Sequence, residues 1–159
     1  MIQRIQSVYL LIAAIATVIL LFMPLGYIYT NDYAFIYNAF VIKDVTPDAS
    51  VLSSTIYIGI LLIVCTALSV IAIFSYKNRP RQIKIVYADM IIFLFTILLM
   101  LYIYPDIVIP KMGIFQRGFD FQFNPWILIP LVPAAVCLFL ANKAIKKDEN
   151  MVKAADRLR

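Results

Sequence analysis

The chain has 159 residues, of which 64% are hydrophobic and 14% are charged, and its formal net charge is +5. Globular proteins are roughly 45 to 50% apolar and about 25% charged, so this composition excludes a soluble globular domain and predicts an integral membrane protein. The basic residues flank apolar runs, as orientation signals do, so nucleic acid is not a predicted partner.

Four apolar runs are each long enough to cross a hydrocarbon core about 30 Å thick, at about 1.5 Å of helix per residue. Their predicted bounds are residues 5–25, 51–74, 85–104 and 126–141. A chain of this length leaves no room for a separate soluble domain of ordinary size, so residues 1–159 are predicted to form one membrane domain. The predicted fold class is an all-α membrane protein, a bundle of four transmembrane helices.

Two aromatic loops, residues 27–50 and 105–125, separate the first span from the second and the third from the fourth. In each loop three aromatic residues alternate with other residues in a period of two, which predicts short strands. These residues are Tyr33, Phe35, Tyr37, Phe119, Phe121 and Phe123. They are candidates for binding a partner, but a small β-rich cap that packs one face on the bundle is the favoured interpretation, because short strands gain stability mainly by pairing and burial.

The polar loop 75–84 lies between the second and third spans and contains four basic residues and no acid. Eleven of the fourteen Lys and Arg residues lie at the start of the chain, in this loop or in the tail 142–159. The positive-inside rule therefore places both termini and loop 75–84 in the cytoplasm, and it makes the cap extracytoplasmic. The tail is predicted to be an amphipathic helix that lies on the inner leaflet or docks a cytoplasmic partner.

Each predicted span carries a seam of small or weakly polar residues at spacings of three and four, which is typical of helix-packing faces in membranes. Thr66 and Ser69 belong to the seam of the second span, and Asp89 and Thr96 belong to that of the third. A substrate path along these seams is disfavoured, because such paths usually carry more ionisable groups at membrane depth.

Asp89 is the one ionisable residue inside an apolar run, about one turn into the third span. An acid at such a position is a functional candidate by default. The favoured interpretation is structural, because a carboxylate is stabilised near a helix N-terminus and by basic residues at the same membrane level. The predicted charge cluster consists of Arg4, Lys84, Asp89 and Lys143.

Residues for catalysis and cofactor binding are missing from the sequence. Histidine is absent, which removes the commonest metal ligand and general base. Cys65 and Cys137 both fall inside predicted spans, so they form no disulfide framework, and no glycine-rich phosphate loop occurs. We therefore predict no cofactor, no metal site and no catalytic residue.

The two ends of the chain carry a resemblance to a known family. The segments MIQRIQSVYLLIAAI and ANKAIKKDENMVKAADRLR resemble the ends of a small four-span integral membrane protein family of unknown function, a domain of unknown function common in Bacteroidota. The resemblance covers the whole chain and implies a bacterial inner-membrane location and a four-helix arrangement. It implies no activity and no site residues.

The predicted function is that of a non-catalytic inner-membrane scaffold or accessory subunit, whose partners are membrane lipids and either another membrane protein or a second copy of the chain. The alternative is a small transporter, or a lipid- or quinone-binding protein that uses the bundle interior. An enzyme is not predicted, because no acid/base pair, activated nucleophile or metal cluster appears. A polar cavity reaching Asp89 would favour transport, whereas a packed bundle with an exposed apolar flank would favour the scaffold.

Overall fold

Four long helices form a ring in which each helix packs against the next one along the chain, and the last packs against the first. The computed structural model describes residues 3–30, 33–45, 51–111 and 118–157. The helices are α1 (Gln3–Phe22), α2 (Ile56–Phe74), α3 (Arg79–Leu98) and α4 (Leu128–Arg157). Only a short 3-10 turn, Ser75–Lys77, separates α2 from α3, so these two helices run antiparallel as neighbours in an up-and-down bundle.

The four predicted spans are confirmed by length and composition. Within the described residues, four helical stretches are long and apolar enough to cross a membrane, and they are Ile5–Phe22, Ile56–Phe74, Arg79–Lys111 and Pro125–Val152. The predicted start of the second span was wrong, because Val51–Ser54 is a strand and the helix begins only at Ile56.

A five-stranded antiparallel sheet closes one end of the bundle, so the all-α label is incomplete. The strands are β1 (Gly26–Tyr29), β2 (Ala34–Tyr37), β3 (Val41–Asp44), β4 (Val51–Ser54) and β5 (Asp120–Phe123). Their order in the sheet is β4-β3-β2-β1-β5, and a register shift interrupts the β3–β4 pairing between Ile42 and Lys43. Both aromatic loops therefore contribute strands, as their alternation predicted, and β5 joins the second loop to the first.

The third helix does not stop at Pro105, where its predicted span ended. Its turns continue as a π-helical segment over Leu99–Val108 and then as a 3-10 turn over Ile109–Lys111. In π-helical register the Met100 carbonyl would accept from the nitrogen of Pro105, which has no hydrogen. The Tyr37 hydroxyl supplies the missing donor, with 3.3 Å between Tyr37 Oη and the Met100 carbonyl oxygen. This hydrogen bond therefore connects the sheet to the π-helical segment that follows α3.

The turn between β2 and β3 caps the start of α2. The Gly59 amide, one of the helix's first four N–H groups, donates to the Ala39 carbonyl over 2.9 Å. The Thr55 hydroxyl donates to the Asn38 carbonyl over 2.7 Å. A Cβ atom on Gly59 would lie 2.3 Å from Cε1 of Phe40, so only glycine allows this close approach.

Asn124 connects the sheet to the two helices α1 and α4. Its side-chain oxygen accepts from the Trp126 amide over 3.2 Å at the turn Pro125–Ile127 that leads into α4. Its side-chain nitrogen donates to the Pro24 carbonyl, just beyond α1, over 2.7 Å. One buried amide therefore fixes the end of α1 against the start of α4.

The predicted tail helix is the direct continuation of α4, which runs unbroken from Leu128 to Arg157. The Gln6 side-chain amide of α1 donates to the carboxylate of Asp148, and both residues are buried. This part of the tail therefore packs on α1.

Candidate functional site

Asp89 lies at the contact between α2 and α3 and is fully buried, with 0% of its surface exposed. It shares a face of α3 with Val86, Phe93 and Thr96, all buried and spaced three, four and seven residues away. The Ser69 hydroxyl of α2 donates to Asp89 Oδ2 over 2.5 Å. The two predicted seams therefore meet at this contact.

Two more side chains complete this polar cluster. Cys65, one turn before Ser69 on α2, is buried, and its thiol interacts with the Asp89 carboxyl and with Thr96. The Thr96 hydroxyl also donates to the Ile92 carbonyl over 2.7 Å, which satisfies it within its own helix. We call Cys65, Ser69, Asp89 and Thr96 the buried cluster.

Asp89 Oδ1 has no hydrogen-bond partner, although the carboxyl group is completely buried. Buried polar atoms are almost always hydrogen-bonded, so an oxygen without a partner at this depth needs an explanation. Chemically, such an oxygen can accept a proton or a small cation. The described residues contain no group of three or more His, Cys, Asp or Glu side chains that could hold a metal ion.

The predicted charge cluster does not form among the described residues. Lys84 and Lys143 are both exposed, whereas Asp89 is buried and bonded to Ser69. The physical reason is helical phase: Lys84 lies five residues before Asp89, about 140° away around the helix. The predicted pairing of Asp89 with these lysines was therefore wrong, and the side chain of Arg4, the fourth member, lies outside the described residues.

Further buried polar contacts lie on the half of α4 that is remote from the sheet. The Asn142 side-chain nitrogen donates to the Met90 sulfur over 3.5 Å, and the side-chain oxygen of Asn142 has no partner. Asp148, bonded to Gln6, also keeps one oxygen without a partner. Sequence reasoning missed Asp148, although its spacing from the buried Ala141 places the two on one face of α4.

The six candidate aromatic residues do not form one binding surface. Phe35 and Tyr37 are buried, and Phe119 and Phe121 are half-buried against the core. Only Tyr33, at 57%, and Phe123, at 37%, are exposed. The structure therefore places most of these rings between the sheet and the bundle.

Tyr37 is the centre of the contact between the sheet and the helices. Its ring stacks on Tyr104 at a centroid distance of 5.3 Å and an interplanar angle of 10°, and Phe121 approaches it edge-on at 6.1 Å. Burial, together with the neighbouring Tyr104 ring, raises the pKa of Tyr37 well above its usual value. This hydroxyl therefore acts as a structural hydrogen-bond donor to the Met100 carbonyl.

Open grooves run along the outside of the bundle between neighbouring helices. The groove between α1 and α4 has a volume of about 450 Å³, and its apolar walls include Ile15, Ile19, Trp126 and Pro130. Another groove of about 230 Å³ lies between α3 and α4, and its walls are also apolar. Asp89 lines neither groove, so the buried cluster is separate from both.

A family model for a domain of unknown function, DUF4293, matches residues 2–158 of the chain. The chain belongs to this family. No curated protein matches it. DUF4293 membership agrees with the resemblance carried by the two ends of the sequence, and the family description assigns no activity to the buried cluster or to the grooves.

Proposed function

We propose that this DUF4293 protein is a non-catalytic scaffold or accessory subunit of a complex in the bacterial inner membrane. The observation that carries the proposal is a filled bundle interior combined with an apolar exterior. Leu10, Leu62, Val86 and Leu138 fill the interior with at most 1% of their surface exposed. Large apolar side chains cover the outer faces of all four helices, which suits contact with lipid and with other membrane helices.

The non-catalytic part of the proposal is supported by the burial of the polar groups. Asp89, Ser69 and Cys65 have at most 1% of their surface exposed, and Ser69 and Cys65 of α2 both interact with Asp89 of α3. A catalytic group has to reach its substrate within hydrogen-bond distance, either directly or through one water. The buried cluster is better suited to joining two helices, where polar contacts add to close packing.

The orientation in the proposal is supported by where the charges lie in the fold. Arg79, Arg81 and Lys84 begin α3, and Lys143 and Lys146 lie on the same end of the bundle at the far part of α4. The five-stranded sheet occupies the opposite end. The positive-inside rule then places the basic end in the cytoplasm and the sheet outside.

A photo-crosslinking experiment tests the scaffold function. A photoreactive amino acid replaces one exposed, outward-facing residue on each helix in turn, at Ile15, Ile63, Ile91 and Val132. The full-length protein is irradiated in native membranes, purified in mild detergent and examined by mass spectrometry. A scaffold gives a discrete protein adduct from one helix face and not from the others, in stoichiometric amounts. Lipid adducts alone from all four positions would contradict the proposal, as would a lone protein that retains a defined small molecule.

Transport is the second candidate, and the unpartnered Asp89 Oδ1 favours it, because buried acids at membrane depth often mark proton or ion paths. Replacing Asp89 by Asn distinguishes the two functions. In a scaffold, Asp89→Asn lowers thermal stability or assembly with the crosslinked partner. A variant that folds and assembles normally but abolishes proton or ion flux in proteoliposomes would establish transport in its place.

A further inference from the structure

Three exposed lysines form a basic face on α4 where the helix leaves its apolar span. Lys143, Lys146 and Lys147, together with Asn150, recur at spacings of three and four residues and so lie on one side of the helix. They line an open depression of about 550 Å³. All three lysine side chains are exposed.

The apolar groove between α3 and α4 lies on the same two helices as this basic face. Its walls come from Met90, Leu94 and Ile97 on α3 and from Ala135 and Phe139 on α4, and its volume is about 230 Å³. Lys143 follows Phe139 by one helical turn, a rise of about 6 Å. The groove and the basic face are therefore consecutive parts of one surface.

The Lys146 side chain spans the two helices where the groove meets the basic face. Its ammonium nitrogen lies 5.2 Å from the centroid of the Tyr87 ring on α3, within the range of a cation–π interaction. Tyr87 precedes Met90, a wall of the groove, by three residues and so lies on the same side of α3. This contact holds a positive charge at the level where a lipid headgroup would sit above its acyl chain.

We propose that this surface binds one anionic phospholipid of the adjacent leaflet. An acyl chain lies in the groove between α3 and α4, and the phosphate is bound by Lys143, Lys146 and Lys147. Charge complementarity selects this groove over the one between α1 and α4, which is also apolar but contains no basic residue and includes Trp126 at the sheet end. Lysines at a membrane surface each contribute about 1 kcal/mol towards anionic lipid, which is about a fivefold change in affinity.

Native mass spectrometry of the full-length protein tests the site, with phosphatidylglycerol and phosphatidylcholine of identical acyl chains as probes. We expect phosphatidylglycerol to be retained preferentially. The triple variant K143Q/K146Q/K147Q should lower its affinity about tenfold or more. The control R79Q/R81Q/K84Q removes the same charge from the same end of the bundle and should lower the affinity less than threefold. Equal retention of both lipids, or equal losses in the two triple variants, would overturn the proposal.

A second pair of variants tests the groove without changing any charge. Ala135→Phe fills the groove between α3 and α4, and Ala67→Phe introduces the same ring into the groove between α1 and α2. We expect Ala135→Phe to lower phosphatidylglycerol affinity about fivefold and Ala67→Phe to leave it unchanged, with equal melting temperatures in detergent. Displacement of the lipid by free glycerol phosphate, or an acidic protein segment crosslinked to the lysines, would show that another ligand occupies the surface. This pair keeps the test decisive if the triple lysine variant does not fold.

Discussion

Ser69 and Asp89 form a polar contact that joins α2 to α3 inside the apolar bundle. The Ser69 hydroxyl is the donor to Asp89 Oδ2, and the second carboxyl oxygen already lacks a partner. Between two membrane helices, such a contact is measured at about 0.6 to 2 kcal/mol. Losing the donor while the acid stays buried is more costly, because it leaves the whole carboxyl group with weaker solvation.

Ser69→Ala should lower the free energy of unfolding by about 1 to 3 kcal/mol, measured by thermal denaturation in detergent. The exposed Ser54 provides the matched control, because Ser54→Ala removes a hydroxyl that faces outwards and should have little effect. The double variant S69A/D89L should regain most of the lost stability, because replacing both partners of a buried polar contact with apolar groups is close to neutral. A double variant less stable than Ser69→Ala alone would contradict this account.

Tyr37 is the residue for which a pH dependence follows from its environment. Burial raises its pKa in the folded protein, so the folded state holds this proton more tightly than the unfolded chain, where tyrosine titrates near 10. The stabilisation is therefore fully present below about pH 10 and is lost as the pH rises beyond it.

Tyr37→Phe should lower the free energy of unfolding at pH 7 by about 1 to 2 kcal/mol, because the Met100 carbonyl loses its donor. The variant should also lose less stability than the original protein between pH 10 and pH 12, because phenylalanine does not ionise. Melting temperatures across this pH range measure both effects, with the exposed Tyr29→Phe as the control. A constant difference between the two proteins at every pH would contradict the assignment.

At the scale of single elements, alternation of aromatic residues predicted where strands occur, because period two is a local property of the sequence. It could not predict that β1 pairs with β2 on one side and with β5 on the other, since register depends on residues far apart in the chain. The apolar residues Val51 and Leu52 were assigned to a span because hydropathy does not distinguish a short apolar strand from a helix. The continuation of α3 past Pro105 depends on a donor from Tyr37, a contact that no local pattern reveals.

For the candidate site, too, local sequence patterns predicted the packing faces but not the contacts between residues far apart in the chain. Seams of small residues predicted which faces of α2 and α3 would pack, and they contained both Ser69 and Asp89. A basic partner for Asp89 was predicted from membrane level alone, but helical phase directs Lys84 and Lys143 outwards.

Gly59→Ala should destabilise α2 where it meets the sheet. Alanine favours a helix over glycine by about 1 kcal/mol, but its Cβ would lie 2.3 Å from the Phe40 ring and would displace the turn that caps the helix. We expect a net loss of about 1 to 3 kcal/mol in the free energy of unfolding, measured by thermal denaturation in detergent. In a background with Phe40→Leu, the same substitution should be neutral or stabilising, and an equal loss in both backgrounds would exclude the steric explanation.

At the scale of the whole molecule, most of the basic residues lie at one end of the bundle and the sheet closes the other. The uneven distribution of basic residues between the two ends could be predicted, because it depends only on where Lys and Arg occur along the sequence. The pairing of β5 with β1 could not be predicted, because it joins two loops that are separated in the sequence by two helices.

Cysteine labelling of intact cells or spheroplasts should show which end of the bundle faces the outside of the membrane. In a background with Cys65→Ala and Cys137→Ala, we expect Asn78→Cys to resist a membrane-impermeant thiol reagent and Tyr33→Cys to react, since both positions are exposed in the fold. Labelling after detergent lysis is the control for reactivity at both positions. Reaction of Asn78→Cys in intact cells would invert the proposed orientation.

The pairing of Gly26 with Phe123 also has a consequence for biosynthesis. At about 5 to 20 residues per second, a ribosome needs roughly 5 to 20 s after making β1 to reach β5. During that interval one edge of β1 has open backbone groups. The sheet can close only after α3 has been made and inserted, because β5 follows α3 in the chain, so a nascent chain stalled before that step would present β1 to proteases and chaperones.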